Sequence, residues 1–150
     1  MKNYIIIVLF IFLISCNNAE QQSATPSNIP KTHEDSLLKD VMEGHNITMG
    51  KTSKITAAQK KVQLAIDSIN KLPGKVKVSL KSYKEQLDSL SEKLKYADFS
   101  MNKWMEEFHY DTATSGTNRA VYLESEKKKI TAVENAMVSA LQQADSLFKK

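Results

Sequence analysis

Two short segments of this chain gather the side chains best able to do chemistry. Met42, His45 and Met49 are spaced i, i+3, i+7 within VMEGHNITMGKT (41–52), and Met101, Trp104 and Met105 are spaced i, i+3, i+4. If both segments are helical, each set falls on one face. Thioether sulfur and imidazole nitrogen are soft to borderline donors that suit copper(I). An indole face can also lie over a cation. The same residues have a plainer reading. Methionine is an adaptable filler of helix seams, and a stripe at helical spacing is first of all a core stripe. Any chemistry therefore depends on whether the elements bring the two segments to one level.

Other motifs fail on spacing. Gly44 and Gly50 are separated by five residues, whereas a phosphate-binding loop needs four between its glycines and a strand before them. His33-Glu34 begins a zinc-protease pattern that Leu37 breaks. Glu106 and His109 form one E-x-x-H, but a di-iron bundle needs a second copy and two further inward glutamates. No histidine stands in a recognisable nucleophile motif. The expectation is a protein that is not an enzyme.

The N-terminus speaks to location. Lys2 precedes an unbroken apolar run, Ile5–Ile14, and then comes Leu13-Ile14-Ser15-Cys16. The run is shorter than the ~20 residues of a spanning helix and matches a signal-peptide core. A branched aliphatic, a small residue and then Cys resembles the lipobox of bacterial lipoproteins. That resemblance implies a signal peptide over 1–15, acylation of Cys16 by palmitate-class chains, and a mature chain of 16–150. In such a bacterial setting the Asn46-Ile47-Thr48 sequon is a chance pattern. Cys16 is the only cysteine, so once acylated it leaves no thiol for a disulfide or a thiolate metal site. Each buried acyl CH₂ adds about 0.8 kcal/mol, and several chains anchor the protein durably.

Residues 17–31 are polar, with two prolines and no aromatics. They cannot bury enough apolar surface to offset ordering, so 16–31 reads as a lipidated cysteine and flexible tether. Asn17, rather than the aspartate that retains lipoproteins at the inner membrane, points to the outer membrane, facing the periplasm. Losing Lys2 leaves 20 of the 21 basic residues against 17 acidic ones, a net +3. The charges are interspersed, and Lys127–Lys129 reads as a solvated helix face rather than a nucleic-acid patch.

From Thr32 the periodicity is helical. Thr32 and Asp35 suggest a capping box, opening a first helix over His33–Asn70. Its stripe is Leu38, Val41, His45, Thr48, Thr52, Ile55, Val62, Ile66 and Ile69, with a bend or break plausible near Gly44 or Gly50. Pro73-Gly74 marks a turn. A second helix follows, with Leu80, Tyr83, Leu87, Leu90, Leu94, Ala97, Met101, Trp104 and Phe108 in a sustained heptad seam. DTATSGTN (111–118) is a second turn. A third helix carries Leu123, Ile130, Val133, Met137, Ala140, Ala144 and Leu147, with Lys149 and Lys150 at its end. Short connections favour antiparallel neighbours. The expected fold is all-α, an up-down-up three-helix bundle over 32–150. A turn centred on Pro73-Gly74 sets Met42 opposite Met105, and His45 opposite Asn102 beside Met101 and Trp104.

DVMEGHNITM, ADFSMNKWMEEF and VYLESEKKKITAVENAM together resemble a group of small Bacteroidetes-type lipoproteins, often labelled "viral A-type inclusion protein". The label carries no function. The resemblance implies a helical lipoprotein without an established activity. The expected role is that of a membrane-anchored envelope lipoprotein, acting as a non-enzymatic structural or interaction module. It would hold the membrane through Cys16, pair with an envelope protein or with itself, and bind no nucleic acid. The alternative is a periplasmic copper(I) protein using Met42, His45, Met101 and Met105, with Met49 and Trp104 auxiliary.

Overall fold

The computed structural model describes residues 32–109 and 117–149. The first helix, α1, spans His33–Asn70. It opens on a capping box in which Asp35 N donates to Thr32 Oγ1 and Thr32 N donates to Asp35 Oδ2, each at 3.1 Å. The two satisfied donors fix where the helix starts. Val41, Thr48, Ile55, Val62 and Ile69 recur every seventh residue and are all buried. Leu37, not Leu38, completes this stripe at its first turn, because it lies four residues before Val41.

The helix continues unbroken through Gly44 and Gly50. A glycine costs about 1 kcal/mol relative to Ala in a helix, and burial of the flanking seam residues outweighs it. Gly44 also serves a contact. A Cβ there would sit 3.1 Å from Ile130 Cγ2, so the missing side chain is what lets the last helix approach.

The predicted second helix is two helices. α2, Gly74–Ser79, buries nothing; α3, Lys81–Glu107, follows after Leu80, whose backbone leaves the helical region at ψ 6°. Val76 and Val78 are two apart, so they cannot share a helix face and cannot extend the seam that begins beyond them. Among the described residues the body therefore has four helices rather than three. α3 buries Leu87, Leu90, Leu94, Ala97, Met101 and Trp104, as its spacing predicts. α4, Thr117–Phe148, buries Leu123, Ile130, Val133, Met137, Ala140 and Ala144.

α1, α3 and α4 each pack against the other two. Between α1 and α4, His33 meets Glu124 at 3.9 Å, Asp40 meets Lys127 at 2.6 Å and Lys51 meets Glu134 at 3.2 Å. The numbers rise together along both helices. Between α1 and α3 they run in opposition: Gln59 Nε2 donates to the Leu94 carbonyl at 3.3 Å, and His45 lies against Trp104. A turn centred on Pro73-Gly74 would put Asp88, not Leu94, opposite Gln59. The displacement arises because α2 belongs to the connection, which moves the centre of the hairpin toward Leu80.

Lys127–Lys129 are exposed on α4, and Lys127 and Lys129 are also each in an ion pair, with Asp40 and Glu126. Lys149 pairs with Asp145 one turn earlier. Among the described residues there is no strand, and no helix is long and apolar enough to cross a membrane. The leader over 1–15, Cys16, the tether, residues 111–116 of the second turn and Lys150 lie outside the described residues. Thr117 and Asn118, expected in that turn, open α4 instead.

Candidate functional site

The two segments with chemical potential do reach one another, through rings. His45 on α1 and Trp104 on α3 have centroids 5.6 Å apart. Met101 is buried one turn before Trp104, on the same seam. The other three methionines of the two segments differ in burial. Met42 is half-buried. Met49 is exposed, its sulfur 4.0 Å from Thr52 Oγ1, and Met105 is also exposed. The shifted register sets Met42 level with the end of α3, beyond Met105. His45 Nδ1 faces Asn46 Oδ1 at 3.2 Å, so a metal would meet this ring through Nε2. Among the described residues no three His, Cys, Asp or Glu side chains form a metal-ready group.

Around Trp104 the bundle builds an aromatic layer. Phe108 stacks on the indole at 4.8 Å, and Tyr122 of α4 stacks on Phe108 at 6.3 Å. The Tyr122 hydroxyl accepts the His109 backbone N–H at 3.0 Å, which ties the end of α3 to α4. Trp104 is 4% exposed, and its Nε1–H has no hydrogen-bond partner.

Glu126 has a comparable defect. It occupies the seam position between Leu123 and Ile130, only 1% exposed. Lys129 Nζ reaches its Oε1 at 2.7 Å, while its Oε2 is unpartnered. The hydrogen bond to Glu126 holds the Lys129 ammonium above its usual pKa, with Glu107 and Tyr122 adding to the effect and burial opposing it. A buried, half-satisfied carboxyl group costs stability.

On the outside of the same wall runs a groove between α3 and α4. One part is lined by Glu92, Lys93 and Tyr96 against Ala136, Ser139 and Ala140. The adjoining part is lined by Tyr96, Phe99, Lys103 and Trp104 against Lys129 and Val133. Tyr96 is 64% exposed and Phe99 61%, while the α4 floor is made of small residues that allow close approach.

Comparison with protein-family models, curated proteins and solved structures finds no match.

Two features escaped the sequence reading. Glu126 was signalled by a gap: the α4 seam steps seven residues from Leu123 to Ile130, and the intervening position had to be buried. The groove was signalled by Tyr96 and Phe99, which fall off the α3 seam yet share a face. Two aromatics on the polar side of a helix mark a surface with a use.

Proposed function

We propose that this protein is a lipid-anchored, non-enzymatic envelope lipoprotein. Its up-down-up bundle of three long helices, with a short fourth in the first connection, presents the α3–α4 groove to a protein partner. The observation that carries this reading is the pair Tyr96 and Phe99, exposed one turn apart on α3, Tyr96 against Ala136, Ser139 and Ala140 and both against Lys129 and Val133. Large aromatics supply most of the energy at protein interfaces, and small residues opposite them admit a helix closely. The lipobox Leu13-Ile14-Ser15-Cys16 supports the anchor, and the polar residues 17–31 would hold the body clear of the bilayer.

The test has two parts, both on the full chain in a bacterial envelope. Cys16→Ala should leave an unprocessed precursor; processing at the same point without Cys16 refutes the anchor. A photo-crosslinker at Phe99 should give discrete protein adducts, and one at the exposed Lys60 on α1 should not. Equal labelling from both positions would remove the groove from the reading.

A second reading, copper(I) binding, is favoured by the meeting of His45 with Trp104 beside Met101. Thioethers and imidazole suit that ion. The acylated chain in detergent should then bind copper(I) under reducing conditions, and His45→Ala with Met101→Leu should abolish it. Unchanged binding in that double variant ends the reading.

A further inference from the structure

We infer that the partner in the α3–α4 groove is a second copy of this chain, docked through an antiparallel pairing of the two α3 helices. This inference rests on the reading of the groove as a docking surface and names what fills it.

The argument begins with four residues. Glu92, Tyr96, Phe99 and Lys103 are spaced i, i+4, i+7, i+11 on α3. At about 100° per residue they fall within about 60° of arc, a single stripe. All four line the groove. The stripe is separate from the buried seam of Leu87, Leu90, Leu94, Ala97, Met101 and Trp104, so α3 carries two faces with apolar content, and among the described residues only the seam is buried.

The stripe is self-complementary. Read from either end it runs charge, aromatic, aromatic, opposite charge. A two-fold axis between Ala97 and Asp98, perpendicular to α3, sets Tyr96 of one copy opposite Phe99 of the other. The same operation sets Glu92 opposite Lys103. A two-fold interface repeats each contact, so it holds two Tyr–Phe pairs flanked by two Glu–Lys pairs. Two other arrangements lack this match. An axis through Phe99 sets Glu92 against Glu106 and Lys95 against Lys103. A parallel pairing sets every charge against its own kind. Like charges held opposite one another disfavour both of those arrangements, whereas the axis between Ala97 and Asp98 leaves one like pair, Asp88 opposite Glu107, at the ends of the contact.

Nothing inside the chain competes strongly for the charges. Glu92 pairs with Lys95 at 2.9 Å and Lys103 with Glu107 at 3.6 Å, with all four side chains more than half exposed. Exposed pairs of this kind contribute little and can share or exchange partners at an interface. The α4 side of the groove offers Val133, Ala136, Ser139 and Ala140, which lets the second α3 settle between the first α3 and α4.

The test is the oligomeric state of the acylated full chain in detergent, with micelles in excess over protein, by sedimentation equilibrium. The wild type should be a dimer. Phe99→Asp should be monomeric with unchanged helical circular dichroism, since that side chain is exposed. Lys103→Glu should weaken the dimer about tenfold, equivalent to about 1.4 kcal/mol, by facing Glu92 with a like charge twice. Glu92→Lys combined with Lys103→Glu should restore it, which no general effect of surface charge would do. A monomeric wild type, a dimer indifferent to Phe99→Asp, or a charge exchange that fails to rescue each overturns the inference. If the wild type is monomeric while the Phe99 crosslinker still captures a different envelope protein, the groove stands as a docking surface and only the second copy is excluded.

Discussion

Replacing Glu126 with leucine should make the protein more stable. Glu126 sits on the α4 seam, 1% exposed, with one oxygen on Lys129 and the other without a partner. An unsatisfied buried polar atom costs roughly 1–3 kcal/mol, which the substitution removes. A buried leucine at a seam position gains roughly 1.5–3 kcal/mol relative to an exposed one. Against this stands the lost ion pair. The Lys129 side chain is 52% exposed and can rehydrate, so the loss is nearer the ~1 kcal/mol of a surface pair than that of a fully buried one. Some of the gain disappears into imperfect fit, because leucine is branched where glutamate is not. A net stabilisation of about 1–3 kcal/mol remains, in line with other replacements of buried ionic groups by apolar ones. A kcal/mol is worth about 4–8 °C for 60–100 residues and about 2–4 °C for 150–250, so for a body of intermediate length the melting temperature should rise by at least about 3 °C. Thermal unfolding followed by circular dichroism at neutral pH reads it directly. A melting temperature below the wild-type value would refute the reasoning, since the carboxylate would then hold the bundle together.

Two further outcomes follow from the same packing. Gly50→Ala should raise stability by up to about 1 kcal/mol, the helix-propensity difference, because a Cβ there meets nothing within 4 Å; Gly44→Ala should gain less or lose, because its Cβ would press the buried Ile130 at 3.1 Å, and equal gains in chemical denaturation would show that Gly44 is not a contact point. Lys129 is raised above its ordinary 10.5, first by the Glu126 hydrogen bond, so its contribution is fully present below 10.5 and is lost as pH rises through the folded value. The wild-type melting temperature should therefore fall more steeply above pH 10.5 than that of Glu126→Gln, and parallel curves would remove the pair from the stability of the fold.

Much of the architecture was legible because two kinds of residue each had one strong physical role. The Thr32–Asp35 box set the first residue of α1, since two reciprocal hydrogen bonds leave no freedom in where the helix begins. The α3 seam from Leu87 to Trp104 could be read without error because burial on one side demands that spacing. The break at Leu80 was missed for a related reason. Periodicity reports where apolar residues fall, and Leu80 and Tyr83 keep step with the seam although the backbone has left the helix before them. What betrays the break is the preceding Val76 and Val78, placed on opposite sides of a short helix that buries neither.

The site was harder to read, because its residues carry more than one role. Met42, Met49, Met101 and Met105 look alike in a sequence, and burial separates them: Met101 is 1% exposed and Met49 41%. Which methionine becomes core depends on the register of the hairpin, and that register depends on α2, a segment with no periodic signal of its own. Glu126 hid behind its residue type, since a charged side chain is seldom assigned to a seam; only the unbroken alternation of spacings on either side required it there. The stripe of Glu92, Tyr96, Phe99 and Lys103 hid behind the stronger seam on the same helix. Both stripes obey the same period, and a single helix wheel rewards the more apolar one. The second becomes visible once α1 and α4 are in place and, among the described residues, Tyr96 and Phe99 stay exposed at the edge of the α3–α4 groove. A surface whose partner lies outside the chain is selected by a geometry that the chain alone never has to satisfy, which is why its mark is a pairing of charges and aromatics rather than a run of leucines.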